Sequence, residues 1–247
     1  MKKIMCVKWG KKYDSRYVNN LFYALQKRTT IPFELYCFTE NKNGIDPQIK
    51  CISLLEAKNI EGWWHKLYLF SKNNPLYNPN ESLFYIDLDT LITGNIDHIL
   101  DCEYPQDRIT TLHDFFLILQ PNRQTPFGIA KEQMGSGLMQ WKGDFSEIWN
   151  NFIANPKVAV QSMRGHGDQK YIQRFTDGKR DYWQDIYPGQ IVSYKVHCKA
   201  GLPDNARIVC YHGLPGVEDS ITKSVKAQGR LWKPQPWVAQ YWNAGVR

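Results

Sequence analysis

The sequence predicts an α/β protein with a mostly parallel central sheet flanked by helices, and three observations support this. Apolar runs of strand length alternate with amphipathic stretches through residues 1–100, the pattern of a sheet covered on its faces. The run Leu83–Ile86 (LFYI) is apolar at every position, as a strand buried on both faces requires. The chain's 247 residues, 43% hydrophobic and 14% aromatic, suffice for a large core, and one domain is expected.

The elements follow in order. Residues 3–9 (KIMCVKW) read as a first strand and Gly10–Tyr13 as a loop. Asp14 or Ser15 then caps a helix with Tyr17, Val18, Leu21, Phe22 and Leu25 on one face. Phe33–Phe38 is a second strand ending in Thr39-Glu40-Asn41, and Lys50–Leu54 is a third after the Asn43-Gly44 turn. Gly62–Phe70 reads as a helix with Trp63, Leu67 and Phe70 inward, followed by a loop over Pro75–Asn80. Beyond the central strand, Ile109–Leu112, Phe115–Leu119 and Met134–Trp141 read as strands. Asp144–Ala154 reads as a helix burying Phe145, Ile148, Trp149 and Phe152. Gly167–Phe175 is a further helix, and Ile191–His197 and Arg207–Tyr211 are strands. The aromatic tail LWKPQPWVAQYW is predicted to pack back on the body.

Composition bounds the function. A net charge of +7 and a pI near 9 favour an anionic partner, whether nucleotide, nucleic acid or membrane surface. Lys and Arg are spread along the chain, unlike a dedicated nucleic-acid arm. Six cysteines include no C-x-x-C pair, which reads as reduced thiols and a cytoplasmic protein, soluble or peripheral at a membrane. The Cys210-x-His212 spacing beside His197-Cys198 matches no common zinc pattern. No apolar run has the length of a transmembrane span, and the apolar run near the start is too short for a signal peptide.

The chemistry centres on LFYIDLDTLITGNIDHI. Residues two apart in an extended segment point the same way, so Asp87 and Asp89 stand together at a strand's carboxyl end, where open α/β sheets bind ligands. Two such carboxylates suit a hard divalent cation, Mg²⁺ or Mn²⁺, although a pair of solvated turn aspartates has the same sequence. Four further segments carry polar residues out of place in a core. Lys8 puts a cation at the end of the first strand. The paired glycines Gly135 and Gly137 around Ser136 allow close backbone approach. Asp168 and Gln169 in RGHGDQ can face hydroxyl groups, Asp168 equally serving as a helix cap. His212, after a late strand, can complete a metal shell as neutral imidazole.

These residues together resemble the nucleotide-sugar glycosyltransferases of the GT-A fold, especially the glycogenin-like and lipopolysaccharide galactosyltransferase-like group. The likeness rests on YIDLDTLITGNI, GSGLMQW, HGDQKYI and YHGLPG in that order, and it runs from the first strand to at least Gly216. It implies a Rossmann-like domain over 1–247, with 1–100 as the nucleotide-binding half and 101–247 as the acceptor-side half. It also implies Mn²⁺ or Mg²⁺ on Asp87, Asp89 and His212, and a donor, most simply a UDP-sugar. Lys8 and Thr39 would lie near the nucleoside and Lys66 near the phosphates or sugar, with Leu88 and Gly213 also on the donor. Gly135, Ser136 and Gly137 would surround the sugar with Asp168 and Gln169, Asp168 being the first candidate base. The acceptor, whether glycan, lipid-linked sugar, protein or nucleic acid, carries no signature. The lysine that follows the late histidine in that group has no counterpart beside His212, the nearest in the tail being Lys233.

Two other classes compete. A nucleotidyltransferase or phosphohydrolase could use the same metal pair. The haloacid-dehalogenase pattern itself fits poorly, because Ile172 stands where its last acid belongs. A non-catalytic nucleic-acid-binding domain would instead lose affinity steeply with salt.

Overall fold

The computed structural model describes residues 1–54, 60–103, 105–163, 165–227 and 229–242; Arg164 of the RGHGDQ segment lies outside them. The strands are β1 (Lys2–Lys8), β2 (Phe33–Thr39), β3 (Lys50–Ser53), β4 (Leu83–Ile86), β5 (Thr90–Ile92), β6 (Arg108–His113), the short pair β7 (Gln124–Thr125) and β8 (Gly128–Ile129), β9 (Met134–Lys142), β10 (Arg180–Tyr182), β11 (Ile191–Ser193), β12 (Ile208–Cys210), β13 (Val225–Ala227) and β14 (Arg230–Trp232). The α-helices are α1 (Ser15–Arg28), α2 (Asp97–Leu100), α3 (Glu147–Ala154), α4 (Pro156–Ser162), α5 (Gly167–Phe175), α6 (Trp183–Ile186), α7 (Tyr194–His197), α8 (Asp219–Thr222) and α9 (Pro236–Trp242). Seven strands form the central sheet in the order β10-β6-β9-β4-β1-β2-β3. Every neighbouring pair is parallel except those of β9, which runs antiparallel to both β4 and β6. The sheet is therefore mostly parallel, as expected.

Alternation along the strands divides the apolar residues between two cores. Ile4, Cys6, Phe84 and Ile86 join one, with helix α1; Met5, Leu83 and Tyr85 join the other. All four residues of β4 are buried. Asp14 caps α1 by accepting the Arg16 N–H at 2.9 Å, and the five expected apolar residues of that helix are buried.

The second core receives the 3-10 helix Gly62–Phe70 together with α3 and α5. Between the last two runs α4, which the sequence reading missed. A small sheet, β11-β12-β5, lies with the first core. The tail helix α9 packs back as expected, Trp242 meeting Tyr17 edge-on at 4.5 Å between ring centroids. Among the described residues, no helix is long and apolar enough to cross a membrane.

Three expectations are corrected. Phe115–Leu119 is not a strand: Asp114 Oδ1 accepts the N–H groups of Phe116 and Leu117, turning the chain into a 3-10 turn at Leu117–Leu119. The strand expected over Ile191–His197 stops at Ser193, whose hydroxyl accepts the Val196 N–H and caps α7. Trp63 points outward, 55% exposed, while Trp64 takes the inner position and stacks on Phe152 with 5.5 Å between centroids.

Candidate functional site

The carboxyl edge of β1 and β4 opens into a cleft of about 650 Å³. Three strand pairings assemble it. Tyr85 sits opposite Met5 of β1 and Met139 of β9, and beyond β4 the Asp87 N–H donates to Gly137 O at 2.8 Å, placing the glycine segment beside the first aspartate. After Asp89 the chain enters β5, whose Thr90 pairs with Cys210 of β12; the Tyr211 N–H donates to Asp89 O at 3.2 Å, which carries His212 to the second aspartate's side of the cleft. Asp87 and Asp89, with His212 from far along the chain, thereby line one cavity together with Lys66, Gly135–Gly137, Asp168, Gln169 and Gly213.

At its floor lies an ion cluster. Lys66 Nζ stands 3.1 Å from Asp87 Oδ1 and 3.2 Å from Asp168 Oδ2, and it donates to Ser136 Oγ at 3.0 Å. Ser136 Oγ in turn donates to Asp168 Oδ2 at 2.6 Å. Burial alone would push the Lys66 ammonium towards neutrality, but the charges of Asp168 and Asp87 more than offset this and hold its pKa above the ordinary lysine value. Tyr85 OH donates to Asp87, and Tyr13 OH donates to Asp89 Oδ2 at 2.7 Å. Burial, followed by the charge of Asp87, pushes the Asp89 carboxyl up to about 6. Gly137 packs closely here: a Cβ would sit 3.2 Å from Asp87 Oδ2. Gly167, with φ +74°, turns the chain into α5 against Trp63; a Cβ there would meet the indole nitrogen at 3.0 Å.

Burial pulls the His212 imidazole down to about 4 and so favours its neutral form. Its Nε2 lies 2.6 Å from Ser193 Oγ, and the ring stacks on Phe115 at 5.8 Å. The tautomer that donates Nε2–H to Ser193 leaves the Nδ1 lone pair free, as metal-binding histidines require. Two carboxylates and a neutral imidazole on one cleft are a donor set that suits Mg²⁺ or Mn²⁺.

The three are nevertheless not a finished ligand cluster: among the described residues, no three Asp, Glu, His or Cys side chains are gathered closely enough to hold a metal ion. Each is held instead by protein partners, Asp87 by Lys66 and Tyr85, Asp89 by Tyr13, and His212 by Ser193. The expectation of a preformed trio is corrected to that extent.

Other expected residues divide. Lys66, Gly135, Ser136, Gly137, Asp168, Gln169 and Gly213 line the cleft, and no hydrogen bond from the Gln169 side chain to the described residues engages it. Lys8 and Thr39 pair across β1 and β2, but their side chains turn to the Asn41 carbonyl at 3.2 and 3.0 Å and are not among the lining residues. Leu88 is buried in the first core and is likewise absent from the lining. The sequence reading missed Tyr13, Tyr85, Trp63 and Ser193. Tyr85 was legible, since it shares the two-residue spacing of the aspartates, but Ser193 offered no local signal.

The architecture is that of the GT-A glycosyltransferases. Three solved structures carry the likeness. An active-site mutant of the galactosyltransferase LgtC superposes with a TM-score of 0.61 at 10% identity, covering 98% of this chain and 94% of that one. The glycosyltransferase GlyE of Streptococcus pneumoniae TIGR4 gives 0.58 at 10% identity, and the bifunctional glycosyltransferase WbbM 0.58 at 9%. This chain spans 60% of the length of GlyE and 51% of WbbM. No family model matches the chain, and no curated protein matches it in sequence.

Proposed function

We propose that this protein is a metal-dependent glycosyltransferase that moves a sugar from a nucleoside diphosphate donor, a UDP-sugar, to a hydroxyl acceptor. One observation carries the reading: Asp87 and Asp89 open from the end of β4 into the same cleft as Lys66, Asp168 and Gln169, within a fold of this class. Asp87 and Asp89, with His212 Nδ1 as third donor, would hold Mn²⁺ or Mg²⁺. Bound there, the cation supplies Lewis-acid stabilisation of the charge that develops on the departing diphosphate.

The chain's own groups do the rest. Lys66 sits between Asp87 and Asp168 and fixes the spacing of the acidic floor. Asp168 Oδ2 is taken up by Lys66 and Ser136, which favours electrostatic support of the cationic sugar over service as a base. The Gln169 amide is available to hydrogen-bond a sugar hydroxyl.

The test is incubation with Mn²⁺ and a panel of nucleotide sugars, reading released UDP. Wild type releases UDP, whereas Asp89→Ala releases none while remaining folded. Release of inorganic phosphate or pyrophosphate instead would identify a phosphohydrolase or nucleotidyltransferase. Full activity and normal metal binding in Asp89→Ala would remove the assignment.

A further inference from the structure

Lys195 is a buried lysine. It lies on α7, immediately after β11, and is 4% exposed. Among the described residues its ammonium has no ion pair, hydrogen bond or ring contact, whereas the buried Lys66 of the cleft has two carboxylates. Burial pulls its pKa down, and no acidic neighbour offsets that pull. An uncompensated buried cation is costly, and folds seldom keep one without a ligand to meet it.

Its position shows where that ligand would lie. A Cβ on Gly213 would stand 3.5 Å from Lys195 Nζ, so the ammonium lies beside a residue of the cleft rim, although Lys195 does not itself line the cleft. Gly213 itself is exposed and has φ +71°, a conformation that favours glycine. The ammonium also raises the positive potential at His212.

Resting on the nucleotide-sugar reading, we infer that Lys195 is a donor-binding residue, its ammonium reaching past Gly213 to a phosphate of the diphosphate. Behind Gly213, the Lys195 ammonium would add its charge to those of Lys11 and Lys12, which line the cleft itself. This places the phosphate contact on the helix after β11 and not in the Lys233 segment.

Calorimetric titration of the wild-type, Lys195→Met and Lys195→Arg proteins with UDP and with uridine, in Mg²⁺, tests it. The expected result is that Lys195→Met weakens UDP about tenfold or more while uridine stays within about twofold, and that Lys195→Arg retains most of the affinity. Thermal unfolding without ligand gives the second readout: Lys195→Met melts at or above the wild-type temperature, because an unpaired buried charge has been removed. A lower melting temperature, or equal loss of UDP and uridine, would show a structural lysine and overturn the inference. If wild type binds UDP and Lys195→Met binds it equally, the inference fails while the nucleotide reading stands. If wild type does not bind UDP, the functional reading fails and takes the inference with it.

Discussion

Replacing Lys66 by Met removes the cation between Asp87 and Asp168 while keeping most of the side-chain volume. The Lys66 and Asp168 side chains are 6% and 8% exposed, so their pairing is little screened by water; Asp87, at 31%, is screened more. Removing one partner of a buried pair costs about 3–5 kcal/mol, and the exposure of Asp87 places this case near the lower figure. At roughly 2–4 °C per kcal/mol for a chain of this size, the melting temperature should fall by about 6–12 °C at neutral pH. One control separates charge from packing. The double variant Lys66→Met, Asp168→Asn should recover part of the loss, since the variants share one network. The assay is scanning calorimetry with chelator at neutral pH. A fall under about 2 °C, or no recovery in the double variant, would mean that the ammonium does not hold the two acids and would refute the reasoning.

Asp89 and Gly137 give two further outcomes on the same floor. Because the Asp89 carboxyl sits at about 6 in the folded chain against 3.8 ordinarily, the folded state binds its proton more readily than the unfolded one. Its contribution to stability is complete below about pH 4 and is lost as the pH rises through about 6; Asp89→Asn should flatten that limb in chelator and be about 3 kcal/mol more stable than wild type at about pH 7.5, as read by urea unfolding. An unchanged slope would count against the raised value. Gly137→Ala places a methyl 3.2 Å from Asp87 Oδ2, which must give way by a few tenths of an ångström. It should weaken Mn²⁺ binding several-fold by calorimetry while lowering the melting temperature by less than about 4 °C, and undiminished Mn²⁺ affinity would separate Asp87 from the metal.

The central sheet was legible in the sequence because its strands are locally distinctive: LFYI is apolar throughout, and KIMCVK and FELYCF are bounded by polar turns. The paired aspartates were legible for the same reason, their spacing matching the period of the strand. Phe115–Leu119 and Tyr194–His197 were misread because apolar content suited a strand, while one side chain in each case, Asp114 or Ser193, redirected the backbone by hydrogen bonding to it. Lys8 and Thr39 were placed at the right sheet edge, but their side chains are spent on the Asn41 carbonyl.

By itself the sequence determined the α/β class, the strand that ends in Asp87 and Asp89, and the set of polar segments that face one edge, because each depends on residues close together along the chain. The tertiary structure alone decided which of them meet. The antiparallel pairing of β5 with β12 brings His212 to the cleft, β9 sets Ser136 against Asp168, and α7 leaves Lys195 buried behind Gly213. Those contacts join residues separated by tens to more than a hundred positions, and local pattern carries no information about them until the sheet order is fixed.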